Sequence, residues 1–380
     1  MKILFVGNSG PVFITHRLQL VMAVLKAGHD VHVALPPSPT SNQIANYDFK
    51  FHEIPLSRSG INPFFELRSL ITLYFLYRKI RPDIIHHVTI KPVLYGSLAA
   101  YLAKIPAIVN TISGLGYVFV TNDFKAKVLF VLIKYLLKIS FLHPNKRVIF
   151  QNQDNLSDFQ ALGLIDKANA VLIKGSGVDT QIFKPFPEPD SNPIVMVASR
   201  MLLDKGICEF VEAAREIKSE GSKARFVLVG DVDPENPMTI TVSQIKKWVE
   251  DGLIEWWGKQ KNMAEVFSQV HIVSLPSYAE GLPKVLIEAS ACGRPIVTTD
   301  VSGCRETVIN GENGILVSAH DAKALASAFR KLISDPKLRQ HMGKAGRKIA
   351  VNQFAIGIVI QKTFAVYQDL IGSFDIQPRR

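Results

Sequence analysis

The two glutamates Glu280 and Glu288 stand eight positions apart in a chain of 380 residues, and their spacing limits what chemistry they can share. A short apolar run at His271–Leu275 predicts a buried strand before them. Pro283 predicts the first turn of a helix, where the missing N–H is no loss. Glu280 then lies at or before the helix N-terminus, and Glu288 lies inside the helix. At a rise of ~1.5 Å per residue, their Cα atoms are about 10–12 Å apart.

This separation argues against a pair of hydrolytic carboxylates. Such pairs are about 5 Å apart in retaining glycosidases and ~6.5–9.5 Å apart in inverting ones. The spacing favours two contacts on one long ligand, with the N–H groups of Gly281 and Leu282 between them. N–H groups at a helix N-terminus attract anions, so a diphosphate that joins a sugar to a ribose matches the layout. An ordinary amphipathic helix with one capping glutamate is the alternative.

Arg200 and Lys205 follow another apolar run, Ile194–Ser199, and precede a predicted helix. Arginine offers a planar fork and lysine a point charge, and both bind phosphates. Two cations at the end of a buried strand are therefore placed to hold a diphosphate. Two solvated loop cations are the alternative interpretation.

Short apolar runs alternate with helical patterns along the whole chain. Continuous runs of Val, Ile and Leu are typical of parallel strands that are buried on both faces, and alternating strands and helices predict doubly wound sheets. The predicted strands are Lys2–Gly7, Asp30–Leu35, Phe51–Leu56, Asp83–Val88, Ala107–Thr111, Arg147–Gln151, Ala170–Lys174, Pro193–Ser199, Ala224–Gly230, Ile254–Trp257, His271–Leu275, Pro295–Thr299 and Gly314–Val317.

Four prolines fall within Phe183–Pro193, which cannot continue a helix or a central strand. This segment predicts a linker between two Rossmann-like α/β domains that face a cleft. The predicted divisions are an N-terminal domain at 1–183, a C-terminal nucleotide-sugar domain at 190–350, and a helix at 351–380 that crosses back to the first domain. In such sheets ligands bind beyond the carboxyl ends of the strands.

The composition describes a globular protein, with 47% apolar and 20% charged residues. No run is long and apolar enough to predict a membrane span. Three cysteines without a CxxC pair favour a reducing compartment, so a cytoplasmic location is expected. The net charge is +11, and residues 1–180 hold 19 Lys and Arg against 10 Asp and Glu. No nucleic-acid motif accompanies this charge, which leaves a nonspecific nucleic-acid binder as a remote rival.

Several motifs in order resemble those of the family 4 retaining glycosyltransferases of the GT-B fold. The likeness covers essentially the whole chain and is sharpest from residue 195 to 320. The motifs are Ser199-Arg200 with Lys205-Gly206, Pro276-Ser277-Tyr278-Ala279-Glu280-Gly281-Leu282-Pro283 with Glu288-Ala289, Gly293-Arg294-Pro295-Ile296-Val297, Gly303-Cys304-Arg305-Glu306 and Asn313-Gly314.

The resemblance implies a role for each matched residue and implies no cofactor. Arg200 and Lys205 would bind the nucleotide diphosphate, Glu288 the ribose hydroxyls, and Glu280 the donor sugar together with the Gly281 and Leu282 amides. In the first domain, the loop Gly7-Asn8-Ser9-Gly10 matches the loop that approaches the diphosphate and the acceptor. Ser9 is thus an acceptor-side candidate and Gly10 a donor-side one.

The first domain narrows the resemblance to enzymes that extend undecaprenyl-diphosphate-linked sugars, and among these to α-1,3-N-acetylgalactosaminyltransferases. The motifs are His86-His87-Val88-Thr89-Ile90-Lys91-Pro92 and Asn110–Phe119. Many family members have histidine where this chain has Ser113. His16, His86 or His87 could substitute for it, although a lone histidine near a strand end is more often structural. Lys91 and Ser113 complete the acceptor-side candidates.

The chain shows no nucleophile with a paired base, so a covalent intermediate is not expected. The implied reaction is a front-face displacement that retains the anomeric configuration, with the cations and helix amides stabilising the leaving diphosphate. Asp231-Val232-Asp233 resembles the metal-binding motif of the other glycosyltransferase fold. A polar loop is the favoured interpretation, because Arg200 and Lys205 already neutralise a diphosphate.

The segment Phe124–Lys138 has four lysines and no acid, and it predicts either a core helix or a helix that lies on an anionic membrane. Phe64-Phe65 with Arg68, Tyr74, Arg78, Lys79 and Arg81 would extend the same face. The expected protein is a peripheral enzyme of the inner membrane face. It would transfer an N-acetylhexosamine from a UDP-sugar to a polyprenyl-diphosphate-linked acceptor. A UDP-sugar 2-epimerase of the same fold, and a transferase that uses UDP-glucose or UDP-galactose, are the rivals.

Overall fold

The computed structural model describes residues 1–57, 62–114, 124–234 and 236–372, and the side chains of 124–130 lie outside the description. Part of the predicted Asn110–Phe119 motif, the side chains of Lys125 and Lys127, and residues 373–380 of the predicted last helix therefore lie outside it. Two compact units are present. The first contains residues 1–176 together with the segment from Gly357 onwards, and the second is Gly177–Ile356.

The first unit is built on a parallel sheet of seven strands in the order β3-β2-β1-β4-β5-β6-β7. Its central strands are almost fully buried because helices cover both faces. The strands are β1 (Lys2–Val6), β2 (Asp30–Leu35), β3 (Lys50–Glu53), β4 (Ile84–Val88), β5 (Ala107–Ile112), β6 (Lys146–Phe150) and β7 (Ala170–Leu172).

Helices connect successive strands of the first unit, as right-handed crossovers between parallel strands require. α5 packs against both α4 and α6, so these three helices share one face of the sheet. The helices are α1 (Gly10–His16), α2 (Leu18–Lys26), α3 (Ser41–Ala45), α4 (Pro63–Ile80), α5 (Ser97–Leu102), α6 (Phe124–Ser140) and α7 (Gln153–Ala161), with a π-helical turn at Pro92–Gly96.

The second unit repeats this plan with six parallel strands in the order β10-β9-β8-β11-β12-β13. The strands are β8 (Ile194–Ala198), β9 (Arg225–Val229), β10 (Glu255–Gly258), β11 (Ile272–Leu275), β12 (Ile296–Thr299) and β13 (Gly314–Val317). The helices are α8 (Ile207–Ser219), α9 (Val242–Glu250), α10 (Met263–Ser268), α11 (Lys284–Ala291), α12 (Ala322–Ser334), α13 (Pro336–Ile349) and α14 (Ile356–Ile371), which continues into the first unit.

The fold class is the predicted one, because both sheets are parallel and each predicted strand overlaps an observed strand. The proline-rich segment differs from the prediction, since it lies inside the second unit. Phe183 and Phe186 pack on that unit's core, and Arg294 donates a 2.9 Å hydrogen bond to the Pro187 carbonyl. Prolines break regular structure, but they do not prevent an extended segment from packing on a core.

The C-terminal helix α14 is anchored to the first unit by three polar contacts. The Tyr367 hydroxyl lies 2.6 Å from His86 Nδ1, Arg147 pairs with Asp369 at 2.5 Å, and Asn145 donates to the Leu370 carbonyl at 2.9 Å. Within the described ranges, none of the helices combines the length and the apolar character needed to cross a bilayer.

Candidate active site

Arg200 and Lys205 lie in the connection between β8 and α8, at the carboxyl end of the second sheet. The connection turns through a short 3-10 helix at Leu203–Lys205 and reaches Gly206, which has φ = 68°. A Cβ on Gly206 would lie 2.1 Å from the Pro276 carbonyl oxygen. Glycine is therefore required for the turn to approach the segment after β11, and that approach brings Lys205 to Glu280.

Lys205 and Glu280 form a direct ion pair. Lys205 Nζ donates to Glu280 Oε1 at 2.7 Å, and their side chains are 13% and 18% exposed. Asp204 Oδ2 lies 3.6 Å from the same Nζ. Burial disfavours the charged ammonium, but Glu280 and Asp204 outweigh it and raise the pKa of Lys205. The site thus holds a permanently charged, shielded ammonium at the ends of two neighbouring strands.

The backbone at Glu280 is supported by the loop after β12. Glu280 N–H donates to the Ser302 carbonyl at 3.2 Å. Gly303, with φ = 78°, sits so close that a Cβ there would lie 2.4 Å from the Glu280 carbonyl oxygen. The glycine of the Gly303-Cys304 motif therefore allows two loops to pack together and fixes the backbone that carries Glu280.

Glu288 lies on α11 and is nearly buried, with 8% of its surface exposed. Lys284 Nζ is 3.6 Å from Glu288 Oε1. Burial raises the pKa of Glu288 to about 7, and Lys284 offsets only part of this effect. The helix begins at Lys284 and Pro283 is its N-cap. The predicted helix start, with Pro283 inside the first turn, was therefore one residue too close to the N-terminus.

Gly281 and Leu282 lie between the two glutamates. The Leu282 side chain is buried among apolar residues that include Ile287 and Phe354. This anchor turns the side chain into the second unit and fixes the backbone just before α11 begins. The structure thus brings Lys205 and Glu280 together, with Glu280 four positions before the first residue of α11.

Arg200 is paired with one of the aspartates of the predicted polar loop. Its Nη1 donates to Asp233 Oδ2 at 2.6 Å, and 42% of the Arg200 side chain remains exposed. The Asp231 carbonyl accepts from Met201 N–H at 3.0 Å. No group of three or more His, Cys, Asp or Glu suited to a metal occurs in the described ranges. Sequence reasoning missed the Arg200–Asp233 pair, because the two residues are 33 positions apart and no local pattern links them.

In the first unit, Ser9 and Gly10 lie in the loop from β1 to α1. Ser9 is the N-cap of α1, and its side chain makes no capping hydrogen bond. A Cβ on Gly10 would lie 2.4 Å from Ser38 Oγ, so the loop is held tightly at the strand end. His16 Nδ1 lies 2.9 Å from Ser176 Oγ, and Ser113 directly follows β5.

His87 does not fit the predicted acceptor-side role, because it is fully buried. Its Nδ1 lies 2.8 Å from Asn110 Oδ1 and its Nε2 lies 3.1 Å from the Tyr77 hydroxyl. Burial lowers its pKa to about 3. Both ring nitrogens are engaged, so His87 is a neutral core residue. His86 is buried in the same way between Tyr367 and Thr111.

Lys91 is shielded and paired with a residue that the sequence did not single out. Its Nζ lies 2.6 Å from Glu66 Oε1 and donates to Ser57 Oγ at 3.0 Å. Glu66 lines a largely apolar cavity of about 410 Å³ at the carboxyl ends of β2 and β3. Glu66 is the only acid in α4, and an isolated acid in an otherwise basic and apolar segment is the signal that could have identified it.

Two family models match the chain. The model described as glycosyl transferases group 1 matches residues 178–349, and the model described as glycosyl transferase 4-like matches residues 2–152. The chain is 30% identical to the N,N'-diacetylbacillosaminyl-diphospho-undecaprenol alpha-1,3-N-acetylgalactosaminyltransferase of Campylobacter jejuni, over 98% of this chain and 99% of the relative. It is 28% identical to the capsular polysaccharide biosynthesis glycosyltransferase CapM of Staphylococcus aureus, over 91% of each.

Among solved structures, HepE from Anabaena in complex with UDP-glucose superposes with a TM-score of 0.75 at 20% identity, over 98% of this chain and all of HepE. Two parallel α/β units that match in this way define the GT-B fold. The chain belongs to the family 4 glycosyltransferases and is a hexosyltransferase.

Proposed function

We propose that the protein transfers an N-acetylhexosamine from a UDP-sugar to an undecaprenyl-diphosphate-linked saccharide, with retention of the anomeric configuration. The observation that carries the proposal is the shielded Lys205–Glu280 pair at the strand ends of the second unit. N-acetylgalactosamine as the sugar and an α-1,3 linkage are proposed from the end-to-end likeness to the Campylobacter relative, whose name states both.

The second unit, 190–350 in the predicted division, would bind the donor. Arg200 and Lys205 supply the cations for the diphosphate, and the Gly281–Leu282 backbone lies between them and Glu288 along the chain. Glu288 would accept hydrogen bonds from the ribose hydroxyls, for which its carboxylate form offers two acceptor oxygens. The solved structure of HepE holds UDP-glucose on the same fold, which supports a nucleotide-sugar ligand.

The reaction follows from where charge develops. The acceptor hydroxyl oxygen forms a bond to the anomeric carbon on the face that the diphosphate leaves. The bond from that carbon to the β-phosphate oxygen breaks, and its electron pair stays on the phosphate. The hydroxyl proton passes to a phosphate oxygen. Arg200 and Lys205 would stabilise the negative charge, and Lys205 is held for this role by Glu280, as preorganised electrostatic catalysis requires. No metal is required by this scheme.

The first unit, 1–183 in the predicted division, would bind the acceptor. Ser9, His16, Lys91 and Ser113 lie at or near the carboxyl ends of its strands, where ligands bind in open α/β sheets. We leave His87 out of this set because it is buried. The cavity beside Glu66 lies at the same sheet edge.

The first unit would also rest on the membrane that holds a lipid-linked acceptor. α4 exposes Phe64, Leu67, Ile71 and Phe75, which recur at helical spacing and form one stripe. α5 exposes Tyr101 and Leu102 on the same face of the sheet. The described part of α6 and the residues after it expose Val131, Leu132, Tyr135, Ile139 and Leu142. We call these three groups the apolar face.

Basic residues surround the apolar face. The members on or next to its helices are Arg68, Arg78, Lys79, Arg81, Lys104, Lys134 and Lys138. Glu66 is the one acid on α4, and it is paired with Lys91. Each cation near an anionic surface contributes about 1 kcal/mol, and exposed aromatic and aliphatic side chains insert between headgroups. We therefore place the enzyme peripherally on the cytoplasmic face of the plasma membrane.

The test is transfer from a panel of UDP-sugars to polyprenyl-diphosphate-linked acceptors, with and without EDTA, for the wild type and Glu280→Ala. Transfer of N-acetylgalactosamine that resists EDTA and is lost in the variant is the expected result. Transfer of glucose or galactose instead would correct the donor. Sensitivity to EDTA would assign Asp231 and Asp233 to a metal. An epimerised UDP-sugar formed without acceptor would overturn the transferase assignment.

A further inference from the structure

Arg17, in the first unit, is a buried cation that has no counter-charge among the described residues. It lies between α1 and α2 and is 5% exposed. Its backbone is engaged, since Arg17 N–H donates to Phe13 O at 2.8 Å. Its Nε is enclosed without a hydrogen-bond partner. Across the part of the chain that the structure describes, no carboxylate pairs with this guanidinium.

The surroundings of Arg17 give its charge almost no compensation. Burial lowers its pKa to about 10, and Tyr367 is the only group that acts in the opposite direction. His86, close by, is kept neutral by burial and by Arg17 itself. A guanidinium with a pKa near 10 is still charged at neutral pH. An ionised group in such a place costs free energy unless an anion compensates it.

The side chain of Arg17 lines a crevice at the carboxyl ends of β1 and β4. The crevice has a volume of about 10 Å³, and Gly7, Ser9 and Thr89 also line it. This volume accommodates roughly one oxygen-sized atom. It opens beneath the glycine-containing loop, where no side chain intrudes at Gly7 and the Ser9 hydroxyl makes no cap bond.

Thr89 adds a second polar group without a partner. Its Oγ1 is buried and has no hydrogen bond, and its backbone has φ = 76°. A β-branched residue rarely adopts this conformation, and such strain clusters at ligand sites. Thr89 N–H donates to the Thr111 carbonyl at 3.1 Å, so the strained residue is held in place. A donor hydroxyl and an unpaired cation thus face the same small space.

We propose that this Arg17 crevice binds an anionic oxygen of a phosphate group in a diphosphate-linked substrate, with Arg17 as the cation and Thr89 and Ser9 as hydroxyl donors. The assignment of the phosphate to a substrate rests on the proposed function, whereas the binding of phosphate does not. The donor nucleotide and the polyprenyl acceptor both carry a diphosphate, and either can supply the oxygen.

The experiment measures the affinity of the full-length protein for pyrophosphate, UDP and geranyl diphosphate by calorimetry, at constant ionic strength. The variants are Arg17→Met, which removes the charge but keeps the volume, and Arg17→Lys, which keeps the charge. Arg215→Met, an exposed arginine of the second unit to which no binding role is given, is the control. Arg17→Met is expected to weaken pyrophosphate binding about tenfold or more, and Arg17→Lys less. If Arg17→Met also weakens the binding of geranyl diphosphate but not of UDP, the phosphate in the crevice belongs to the acceptor. If it weakens the binding of UDP but not of geranyl diphosphate, the phosphate belongs to the donor.

Thermal unfolding separates this role from a structural one. Because an uncompensated charge is removed, Arg17→Met is expected to unfold at a higher temperature than the wild type in phosphate-free buffer. A lower unfolding temperature together with unchanged affinities for all three ligands would overturn the proposal. If Arg17→Met does not fold, the absence of pyrophosphate binding by the wild type would overturn it. If Arg17→Met loses pyrophosphate binding but the wild type transfers no sugar from any donor of the panel, the crevice would be upheld and the proposed function rejected.

Discussion

Lys205 Nζ and Glu280 Oε1 are joined by a 2.7 Å hydrogen bond, although the two residues are 75 positions apart in the sequence. The bond links the turn after β8 to the loop after β11, which are neighbouring strands of the second sheet. If a diphosphate binds at Lys205 as proposed, it meets an ammonium that Glu280 has already oriented. Glu280 would then act on the sugar and, through Lys205, on the leaving group.

Glu280→Gln should lower kcat by about 10²–10³-fold, since it removes the charge that orients Lys205 and replaces one of the two carboxylate oxygens by an NH₂ donor. UDP affinity should change less than kcat, because Lys205 keeps Asp204 as a neighbour. Steady-state kinetics with the donor found in the panel checks both values.

Glu312→Gln is the matched control, as Glu312 is an exposed acid of the same unit. It should leave kcat and KM within about twofold of the wild type, in line with ordinary surface substitutions. Equal losses in the two variants, or a fall in UDP affinity that accounts for the whole loss at position 280, would contradict the role given to Glu280.

Asp233→Asn should tighten UDP binding, because Asp233 competes with the diphosphate for Arg200. An exposed pair of this kind is worth ~0.2–1 kcal/mol, so the expected gain is at most about fivefold. Arg200→Met should weaken binding about tenfold or more. Calorimetry with UDP, with and without EDTA, measures both. Weaker, EDTA-sensitive binding in Asp233→Asn would show that Asp233 serves the ligand directly.

Gly206→Ala should destabilise the protein and reduce transfer, whereas Gly221→Ala should only destabilise it slightly. Both glycines have positive φ, at 68° and 84°, so both alanines cost about 1 kcal/mol in backbone strain. Only the Cβ at position 206 meets the Pro276 carbonyl, at 2.1 Å, and nothing lies within 4 Å at position 221. Denaturant unfolding and kcat/KM of the two variants make the comparison. Equal effects would mean that the close approach at Gly206 does not position Lys205.

Glu288 should make the stability of the protein fall as the pH rises. Its pKa is about 7 in the folded protein, against the ordinary value of 4.5. Between these values the folded chain binds more protons than the unfolded chain, so the free energy of unfolding decreases with pH. The contribution is fully present below about pH 4.5 and is lost as the pH passes 7, and its size is on the order of 3 kcal/mol.

Denaturant unfolding of the wild type and Glu288→Gln from pH 4.5 to 8 isolates this contribution, because other groups titrate alike in both proteins. The free energy of unfolding of the wild type, relative to that of Glu288→Gln, should decrease as the pH rises across that range. A difference that does not vary with pH would show that Glu288 is ionised throughout.

Phe75→Ser should weaken binding to anionic vesicles about tenfold, since Phe75 is 65% exposed in the apolar face and its ring would insert between headgroups if the proposed membrane contact forms. Lys138→Glu should weaken it too, with an effect that disappears at high salt. Ile309→Ser, an exposed apolar residue of the second unit, should change nothing. Vesicle co-sedimentation measures all three. Equal binding by Phe75→Ser and the wild type would place the membrane contact elsewhere.

The strands were predictable because strands buried on both faces of a parallel sheet have continuous apolar sequences, such as Ile194–Ala198. Parts of the donor side were predictable for a related reason. Lys205 and Glu280 each follow a strand, and neighbouring parallel strands end at one edge of a sheet. The family resemblance supplied their order along the chain.

Contacts that depend on side-chain direction were not predictable. His87 belongs to β4, and the alternation of side chains between the two faces of a sheet turns it into the core beneath Gly96. The pairing of Arg200 with Asp233 and of Lys91 with Glu66 depends on loop paths that no local pattern specifies. Nothing in the local sequence distinguishes Arg17 from an exposed polar residue, although it is 5% exposed in the structure.

The attachment of α14 to the first unit has a consequence for synthesis. Tyr367 reaches His86 across 281 positions of sequence, and the whole second unit lies between them along the chain. A ribosome that proceeds from the N-terminus therefore releases the second unit complete while the first still lacks its last helix. The first unit is therefore begun first and completed last. The part of it that α14 covers stays exposed until the second unit has been synthesised.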